Sequence, residues 1–321
     1  MKIVITGGSG YIGTRLSLFL SKQGHEVITV CATKIPQKKG WTDIIHQFIV
    51  GDIRNIETIN KISEVNADVI IHLVSLDHHD SEKAPNYVSE INVQSTWNLL
   101  ETCTKNGLKK FIYFSTIHVY GKNQKGLIKE NQHPTPFNTY GLTHYLSEEI
   151  CNTYNRKTNT NCINLRLSNS YGEPVFKEAK CWDLVINNLC LSAKNQEKII
   201  LKGDGSPIRD FIHYESICDS VEQILQIEKN SNQNTFHISS GNSYSMLELA
   251  FKVQEIFNKR YGKLINVYIN NVELVTNQKP PSPHIDKISN DKISSIIDFK
   301  EFLLEKGIDG IFNYLDSNKI L

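Results

Sequence analysis

The first thirteen residues limit the possible fold more than any other stretch of the chain. A short apolar run over 3–5 predicts a buried strand with both faces covered, and it leads directly into a glycine-rich segment. The glycines follow the spacing Gly8-x-Gly10-x-x-Gly13, and an apolar pattern at helical spacing follows, formed by Ile12, Leu16, Phe19 and Leu20. This strand–turn–helix context matches the dinucleotide-binding fingerprint. A backbone without side chains can approach a pyrophosphate, which the free N–H groups of the helix N-terminus then bind.

Apolar strands continue to alternate with helical patterns through the first half of the chain. Inner strands are predicted over 26–30, 47–50, 68–74, 111–115 and 162–167. This alternation predicts an α/β fold with a doubly wound parallel sheet of the Rossmann type, followed by a smaller α/β C-terminal substrate lobe. We expect the dinucleotide-binding domain to comprise residues 1–168 plus about 209–238, and the second lobe 169–208 plus about 239–321. Pro280, Pro281 and Pro283 predict a loop in that lobe.

Composition excludes several kinds of partner. The formal net charge is +1, and no run approaches eighteen apolar residues, so neither nucleic acid nor a membrane is expected. The glycine turn occupies the N-terminus, which argues against a signal peptide. Seven cysteines without a C-x-x-C pair indicate reduced thiols and a cytoplasmic protein. His78 and His79 lie between aspartates, but no second ligand cluster accompanies them, so we expect no metal site.

The end of the second strand bears on the choice of cofactor. In the fingerprint an acid at this place binds the ribose hydroxyls, whereas here Cys31 occupies it. Without the carboxylate a 2′-phosphate meets no repulsion, and Thr33 or Lys34 could contact it. This favours NADP(H) slightly over NAD(H), with a solvated loop lysine as the alternative role of Lys34. Asp52, after the third strand, could meet the adenine or cap the next helix.

Ligands of such a sheet bind beyond the carboxyl ends of its strands, which places Ser115 and Thr116 where chemistry is expected. A helix containing Tyr140 follows. Tyr140, His144 and Ser147 share one of its faces, because residues three and four apart are neighbours on a helix.

Eight short motifs follow one another along nearly the whole chain. They are T-G-G-S-G-Y-I-G (6–13), G-D-I-R (51–54), H-L-V-S (72–75), N-V-Q-S-T (92–96), F-S-T-I-H-V-Y-G (114–121), Y-G-L-T-H (140–144), R-L-S-N-S-Y-G (166–172) and G-D-G-S-P-I-R-D-F-I-H (203–213). With these motifs the chain resembles the extended short-chain dehydrogenase/reductase family, in its nucleotide-sugar epimerase, reductase and dehydratase branch.

The resemblance implies a role for each matched position. Tyr140 would transfer the proton and Thr116 would bond the same reacting oxygen. The candidate contacts to NAD(P)(H) are Gly7, Gly10, Tyr11, Ile12, Gly13, Thr33, Lys34, Asp52, Ile53, Leu73, Ser75, Asn92, Ser115, Tyr140 and His144. The candidate contacts to a nucleotide-diphosphate sugar are Ser75, Thr116, His118, Asn169 and Arg209, the last two on the diphosphate. Arg209 could instead pair with Asp210 or Asp204 at the surface.

His144 departs from the family pattern, which has a lysine four residues after the tyrosine. That lysine supplies positive charge and holds the nicotinamide ribose, whereas a histidine is neutral near pH 7 unless its pKa is raised. His144 could replace the lysine in a working enzyme, a lysine from elsewhere could take the role, or the site could be degenerate. We favour the first, because Thr116, Tyr140 and the glycine turn are intact.

The residues after Thr116 narrow the reaction. Dehydratases of this branch carry an Asp-Glu pair where Ile117 and His118 stand, and enzymes of the GDP-fucose-synthase type carry a cysteine at position 117. Redox at C4 of the sugar remains, by a 4-dehydrogenase or 4-ketoreductase serving a modified surface polysaccharide. The alternatives are a 4-epimerase and a non-catalytic dinucleotide-binding module.

The resemblance also implies a homodimer. Its interface would be a four-helix bundle formed by the predicted helices over 87–103 and 140–154 of each subunit. Leu142, Leu146 and Ile150 give the second helix an apolar stripe, which could equally face the subunit's own core.

Overall fold

The structure is a computed structural model that describes residues 1–122, 126–229, 234–270, 272–274 and 287–318. The predicted loop at Pro280, Pro281 and Pro283 lies outside these ranges. No helix within them is long and apolar enough to cross a membrane.

The strands within the described ranges are β1 Lys2–Thr6, β2 Glu26–Cys31, β3 Gln47–Val50, β4 Val69–His72, β5 Lys110–Thr116, β6 Leu127–Ile128, β7 Asn161–Leu167, β8 Asn169–Tyr171, β9 Lys198–Leu201, β10 Ile208–His213, β11 Thr235–Ile238, β12 Ser243–Ser245, β13 Asn266–Ile269, β14 Val272–Leu274 and β15 Lys287–Ile288. The helices are α1 Tyr11–Lys22, α2 Ile56–Glu64, α3 His78–Lys83, α4 Pro85–Val88, α5 Ser95–Cys103, α6 Thr139–Lys157, α7 Val185–Gln196, α8 Tyr214–Ile224, α9 Met246–Tyr261, α10 Asp291–Ser294 and α11 Leu304–Ser317.

Seven parallel strands form the central sheet in the order β11-β7-β5-β4-β1-β2-β3. The chain winds outwards in both directions from β1, so the order reverses between β1 and β4, and ligands of open α/β sheets bind at such a point. The predicted α/β fold of the Rossmann type is confirmed.

Both faces of this sheet are covered, as the apolar run in β1 predicts. Ile3 and Ile5 pack on one side in a core shared with α1 and α8, and Val4 packs on the other with α2, α5 and α6. Successive side chains of a strand point to opposite faces, so a strand buried on both sides must be apolar throughout.

A second core lies in the C-terminal part of the chain, between α7, α9, α11 and the strands β9 and β13. Most of its residues fall within 169–208 and 239–321, the ranges expected for the second lobe, but Phe211 also belongs to it. Part of the expected lobe packs on the central sheet instead, because Ile293 belongs to the core of that sheet. The division into these two units remains our proposal.

The helix predicted over 87–103 is continuous but irregular. Its first turn is α4, its last part is α5, and residues Ser89–Gln94 between them are π-helical. Such insertions are frequent at functional sites, and this one contains Asn92.

Candidate active site

The glycine turn joins β1 to α1 at the carboxyl edge of the sheet. The N–H of Gly10 donates to the carbonyl of Gly7 at 2.9 Å, and a Cβ on Gly13 would lie 2.2 Å from that same carbonyl oxygen. Only glycine therefore lets α1 approach the turn this closely. Gly10 begins the helix without a side-chain cap, so the N–H groups of the first turn, including those of Ile12 and Gly13, are available to an anion. A backbone cradle at the switch point fits the pyrophosphate of a dinucleotide.

Tyr11 lies in the same turn, but its side chain has another partner. The ring is buried, and its hydroxyl donates to the carbonyl of Gly172 at 2.9 Å. Burial raises the pKa of Tyr11 well above its ordinary value. Its side chain therefore ties α1 to the segment after β8, and its backbone is the part available to a cofactor.

The residues predicted to contact the adenosine half of the cofactor lie at the ends of β2 and β3. Cys31 is fully buried, and burial raises the pKa of its thiol. Thr33 and Lys34 are exposed, whereas Ile53 is buried. Asp52 accepts hydrogen bonds from the backbone N–H and the guanidinium of Arg54, which holds the pKa of that carboxyl below its usual range. In the described structure Asp52 is therefore paired with Arg54.

Thr116 and Tyr140 come together where β5 meets α6. Thr116 ends β5, and its hydroxyl accepts the backbone N–H of His118 at 3.2 Å. Asn138 caps α6 by accepting the N–H of Gly141 at 2.8 Å. A Cβ on Gly141 would lie 2.6 Å from the carbonyl oxygen of His118, so glycine permits the contact between α6 and the turn after β5. The start of α6 thus holds Tyr140 against Thr116.

Tyr140 is half-buried and remains a phenol near neutral pH. Desolvation raises its pKa above the ordinary value, and hydrogen bonding with Thr116 opposes this shift without cancelling it. Its ring meets that of His144 edge-on, with the centroids 4.6 Å apart. None of the groups that shift its pKa is a cation.

His144 is buried, and both of its ring nitrogens have partners. Nδ1 lies 2.8 Å from the hydroxyl of Tyr113, and Nε2 lies 3.0 Å from that of Ser75. The Ser75 hydroxyl donates to the carbonyl of Leu76, so it accepts from Nε2–H, and Tyr113 in turn donates to Nδ1. Desolvation lowers the pKa of His144 to about 3, with smaller contributions from His118 and His72. The imidazole is therefore neutral and does not supply the positive charge of the family lysine.

Two further imidazoles stand near Tyr140 on its open side. The ring of His118 lies edge-on to it with centroids 5.6 Å apart, and that of His78 lies at 6.3 Å. Both side chains are exposed. Desolvation, with Arg209 and His78 nearby, lowers the pKa of His118 to about 4. Besides desolvation, the groups that shift the pKa of Tyr140 are Thr116, which lowers it, and Asp77, which raises it.

A buried polar network fixes α6 on the sheet. Glu148, two turns after Tyr140, pairs with Arg166 of β7 at 2.7 Å and accepts a hydrogen bond from Ser115. Arg166 also donates to the hydroxyl of Tyr120 at 2.6 Å. Since Ser115 precedes Thr116 directly, this network sets the position of β5 relative to α6. Ser115 thus contacts Glu148, and its contact with the cofactor stays a prediction.

Asn92 links the irregular helix to the same place. Its side chain accepts the N–H of Leu76 at 3.2 Å and donates to the hydroxyl of Thr143 at 3.0 Å, while its carbonyl accepts from Ser147 at 2.9 Å. Leu73 is partly buried at the end of β4 and donates its N–H to Thr6. Asn92 and Ser75 therefore lie against α6 beside His144.

The two predicted diphosphate residues, Asn169 and Arg209, line one cavity with His118, whose ring lies beside Tyr140. Asn169 begins β8 and donates its amide to the carbonyl of Asp210 at 2.8 Å. Arg209 is exposed, and no salt bridge joins it to an acid within the described ranges. Asp210 instead accepts from Ser240 and Gly241, and burial raises its pKa to about 6. Arg209 thus remains available to an anion.

Sequence reasoning did not single out Tyr113, Glu148 or Arg166. Each is a polar residue within a predicted strand or helix, and such a group needs a partner when it is buried. This signal shows that a partner exists but does not identify it. All seven cysteines are free and buried, and the described residues contain no group of three or more His, Cys, Asp or Glu side chains that could hold a metal ion.

The parallel sheet, the glycine cradle at its switch point and the Thr116–Tyr140 pair define a dinucleotide-dependent enzyme of the Rossmann type. A model of the NAD dependent epimerase/dehydratase family matches residues 3–239. The chain belongs to this family, and the resemblance to the extended short-chain dehydrogenase/reductase family is confirmed.

Relatives carry out more than one reaction. A putative UDP-glucose 4-epimerase of Methanocaldococcus jannaschii is 29% identical over 281 residues, which cover 84% of this chain and 89% of the relative. A dTDP-D-glucose 4,6-dehydratase of Dictyostelium discoideum is 28% identical over 281 residues, 79% of this chain and 62% of the relative. The structure of UDP-glucuronic acid 4-epimerase from Bacillus cereus, in complex with UDP-glucuronic acid and NAD, has a TM-score of 0.79 with 24% identity and covers 99% of both chains. That likeness shows the fold.

Proposed function

We propose that this enzyme carries out redox chemistry at C4 of a nucleotide-linked sugar, as a 4-ketoreductase or 4-dehydrogenase. The observation that carries the proposal is the pairing of Tyr140 with Thr116 at the carboxyl end of β5, beside His118, which lines one cavity with Arg209. Ile117 and His118 stand where a dehydratase carries its acids, so elimination of water has no acidic pair to support it. A bound dinucleotide supplies the hydride donor or acceptor.

In this proposal Tyr140 moves the proton on the reacting oxygen. The phenol donates to the oxygen of a 4-ketone as it becomes an alcohol, and the resulting phenolate removes the proton in the reverse direction. Thr116 bonds the same oxygen and stabilises its developing negative charge. Because desolvation keeps Tyr140 protonated near neutral pH, the site is better prepared for reduction of a ketone than for oxidation of an alcohol.

His144 takes the place of the family lysine as a neutral positioning group. It holds Ser75 and Tyr113, and through them joins α6 to the ends of β4 and β5. A ribose hydroxyl could replace the hydrogen bond between His144 and Ser75 and bond either residue instead. Ionisation of Tyr140 must then rely on charge brought by the cofactor.

The cofactor contacts named from the sequence stay proposals. The glycine turn and the N-terminus of α1 would bind the pyrophosphate, and Ser75, Asn92 and His144 would lie along the nicotinamide half. The slight preference for NADP(H) rests on Cys31, which leaves the adenosine end without the usual acid.

The proposed partners are a nucleotide-diphosphate sugar and a second copy of the chain. Arg209, exposed and unpaired among the described residues, suits a diphosphate because its guanidinium bonds two oxygens at once. Trp97 of α5 and Leu142 and Leu146 of α6 are exposed by 43% to 51%, whereas Ile150 is buried. The exposed part of the predicted stripe thus fits a helical dimer interface, and its buried end faces the subunit's own core.

The first experiment identifies the dinucleotide released on denaturation and then measures cofactor balance. The protein is incubated with 4-keto nucleotide sugars and NAD(P)H, and both the absorbance at 340 nm and the sugar product are followed. One NAD(P)H consumed per sugar reduced supports the proposal. Absence of turnover for every sugar nucleotide, with saturable binding of the dinucleotide, would support the non-catalytic alternative instead.

A 4-epimerase is the second candidate, and the putative UDP-glucose 4-epimerase among the relatives favours it. An epimerase oxidises and re-reduces the same carbon, so it uses no net cofactor and retains its dinucleotide. Interconversion of UDP-glucose and UDP-galactose at constant absorbance would identify this activity.

A further inference from the structure

A small cavity of about 180 Å³ is lined by Ile117 and His118, the two residues that follow Thr116. The candidate diphosphate residues Asn169 and Arg209 line the same cavity. A sugar that is linked through C1 to a diphosphate on Arg209 and reacts at C4 beside Thr116 would lie along this cavity.

One wall of the cavity is formed by isoleucines. They come from four separate parts of the chain and are Ile117, Ile128, Ile208 and Ile288. Ile128 and Ile288 pair across the parallel strands β6 and β15, and both are buried against Val119 and Tyr120. The isoleucine wall is therefore held by strand pairing and packing.

The polar groups beside this wall are largely engaged. The Asp210 carboxylate accepts from Ser240 and Gly241, the Asn169 amide donates to a carbonyl, and the Tyr120 hydroxyl lies 2.5 Å from Nε2 of His237. His118 and Arg209 remain exposed. A polar group of a ligand placed against the wall itself would lose water without gaining a partner.

This arrangement bears on the substituent at C5 of the sugar. In a hexose C5 is the ring neighbour of C4 that carries the exocyclic carbon, as a hydroxymethyl group, a carboxylate or a methyl group. An isoleucine surface stabilises a methyl group by removing it from water, and it penalises a hydroxyl and still more a carboxylate.

We propose that the substrate is a nucleotide-linked 6-deoxy sugar whose methyl group packs on the isoleucine wall. The inference rests on the proposed C4 chemistry and goes further by naming the class of sugar. Ile117 is the specificity-determining residue, because it is the wall residue nearest in sequence to Thr116 and stands where a dehydratase carries an acid.

The test compares matched ligands by calorimetry on the full chain saturated with NAD or NADP, whichever it binds. UDP and dTDP conjugates of 6-deoxyglucose are compared with those of glucose and glucuronic acid, and free UDP and dTDP serve as references. We expect the 6-deoxy sugars to bind about 10- to 100-fold more tightly than their hydroxymethyl counterparts, the range an apolar pocket provides against one added hydroxyl.

Ile117→Asn should reduce that ratio to within a few-fold of one while leaving the affinity for the free diphosphate unchanged. Ile296→Asn, at a position 42% exposed and outside the cavity lining, is the matched control and should keep the ratio. Thermal melts establish that both variants are folded.

Equal or tighter binding of the glucose or glucuronate conjugates would overturn the inference, even if turnover at C4 is observed. A 6-deoxy preference without any turnover would contradict the proposed function and leave the assigned binding wall supported. Failure of all conjugates and both free diphosphates to bind would overturn both.

Discussion

The glycine turn and helix α6 lie at the same edge of one sheet but are built in different ways. The turn acts through backbone groups, and its glycines follow the family spacing. A Cβ on Gly13 would overlap the carbonyl of Gly7. Helix α6 acts through side chains, and in its second turn it carries His144 in place of a lysine. The two regions therefore tolerate sequence change differently.

The difference shows how a side-chain site can change its electrostatics while keeping its shape. His144 is held by Tyr113 and Ser75, Glu148 is held by Arg166, and Tyr140 remains beside Thr116. Tyr140 and Thr116 are thus paired, and no cation is among the groups that shift the pKa of the tyrosine. The following variants test whether the turn depends on shape and α6 on charge.

Removing the hydroxyl of Tyr140 should have the largest effect. Tyr140→Phe deletes the proposed acid, and we expect kcat to fall by about 10²- to 10⁴-fold with little change in dinucleotide affinity. Tyr154→Phe is the control, because this tyrosine lies on the same helix and donates to Glu101 at the surface. Unchanged turnover in Tyr140→Phe would exclude Tyr140 as the proton donor.

Breaking the ion pair between Glu148 and Arg166 should have the second-largest effect. Glu148→Gln leaves the Arg166 guanidinium buried beside a neutral amide, and we expect unfolding in urea to show a loss of about 3–5 kcal/mol. Glu149→Gln changes the adjacent, exposed carboxylate and should cost less than about 0.5 kcal/mol. Similar losses in the two variants would mean that the network does not anchor the helix.

The shape of the turn is tested by Gly13→Ala. The new methyl group must displace α1 from the turn, which should cost about 1–3 kcal/mol and weaken dinucleotide binding by roughly 10- to 100-fold. Gly310→Ala is a matched control inside α11, where the added Cβ meets only the flexible end of Glu173. Fluorescence titration of both variants with NAD(H) gives the comparison, and full affinity in Gly13→Ala would refute the steric argument.

Buried histidines should make the fold sensitive to moderate acid. Desolvation lowers the pKa of His72, His144 and His213 to about 3, below that of an unfolded histidine near 6.5. Between these pH values the unfolded chain binds more protons than the folded chain. The contribution of the neutral histidines to the free energy of unfolding is therefore fully present above about pH 6.5, and it falls at lower pH by about 1.4 kcal/mol per pH unit for each histidine. Urea unfolding at pH 7.5 and 5.5 measures this slope. His144→Gln should reduce it by one histidine's share.

The charge on α6 is tested most directly by His144→Lys. An ammonium beside Tyr140 favours the phenolate and lowers its pKa, so the pH at which oxidation of the sugar reaches half its maximum rate should decrease. A shift of one pH unit would raise the rate of oxidation at pH 7 by about tenfold. An unchanged pH profile in a folded variant would show that another group controls the ionisation of Tyr140.

Much of this architecture could be predicted from local patterns. The apolar run before the glycines, the strand over 111–115 and the helix containing Tyr140 follow from period, composition and spacing, and the structure extends each by only a few residues. The π-helical turn at Asn92 could not be predicted in this way, because it depends on partners in α6 and after β4.

The sequence alone determined the fold class, the glycine cradle, the tyrosine–threonine pair and the departure at His144, because each is encoded within a few consecutive residues. Only the tertiary structure decided that His144 is neutral, since its protonation depends on Tyr113 and Ser75 and on exclusion of water. It also decided that isoleucines from positions 117, 128, 208 and 288 form one wall. Such groupings arise when distant strands pack together, and local spacing carries no record of which side chains will then meet.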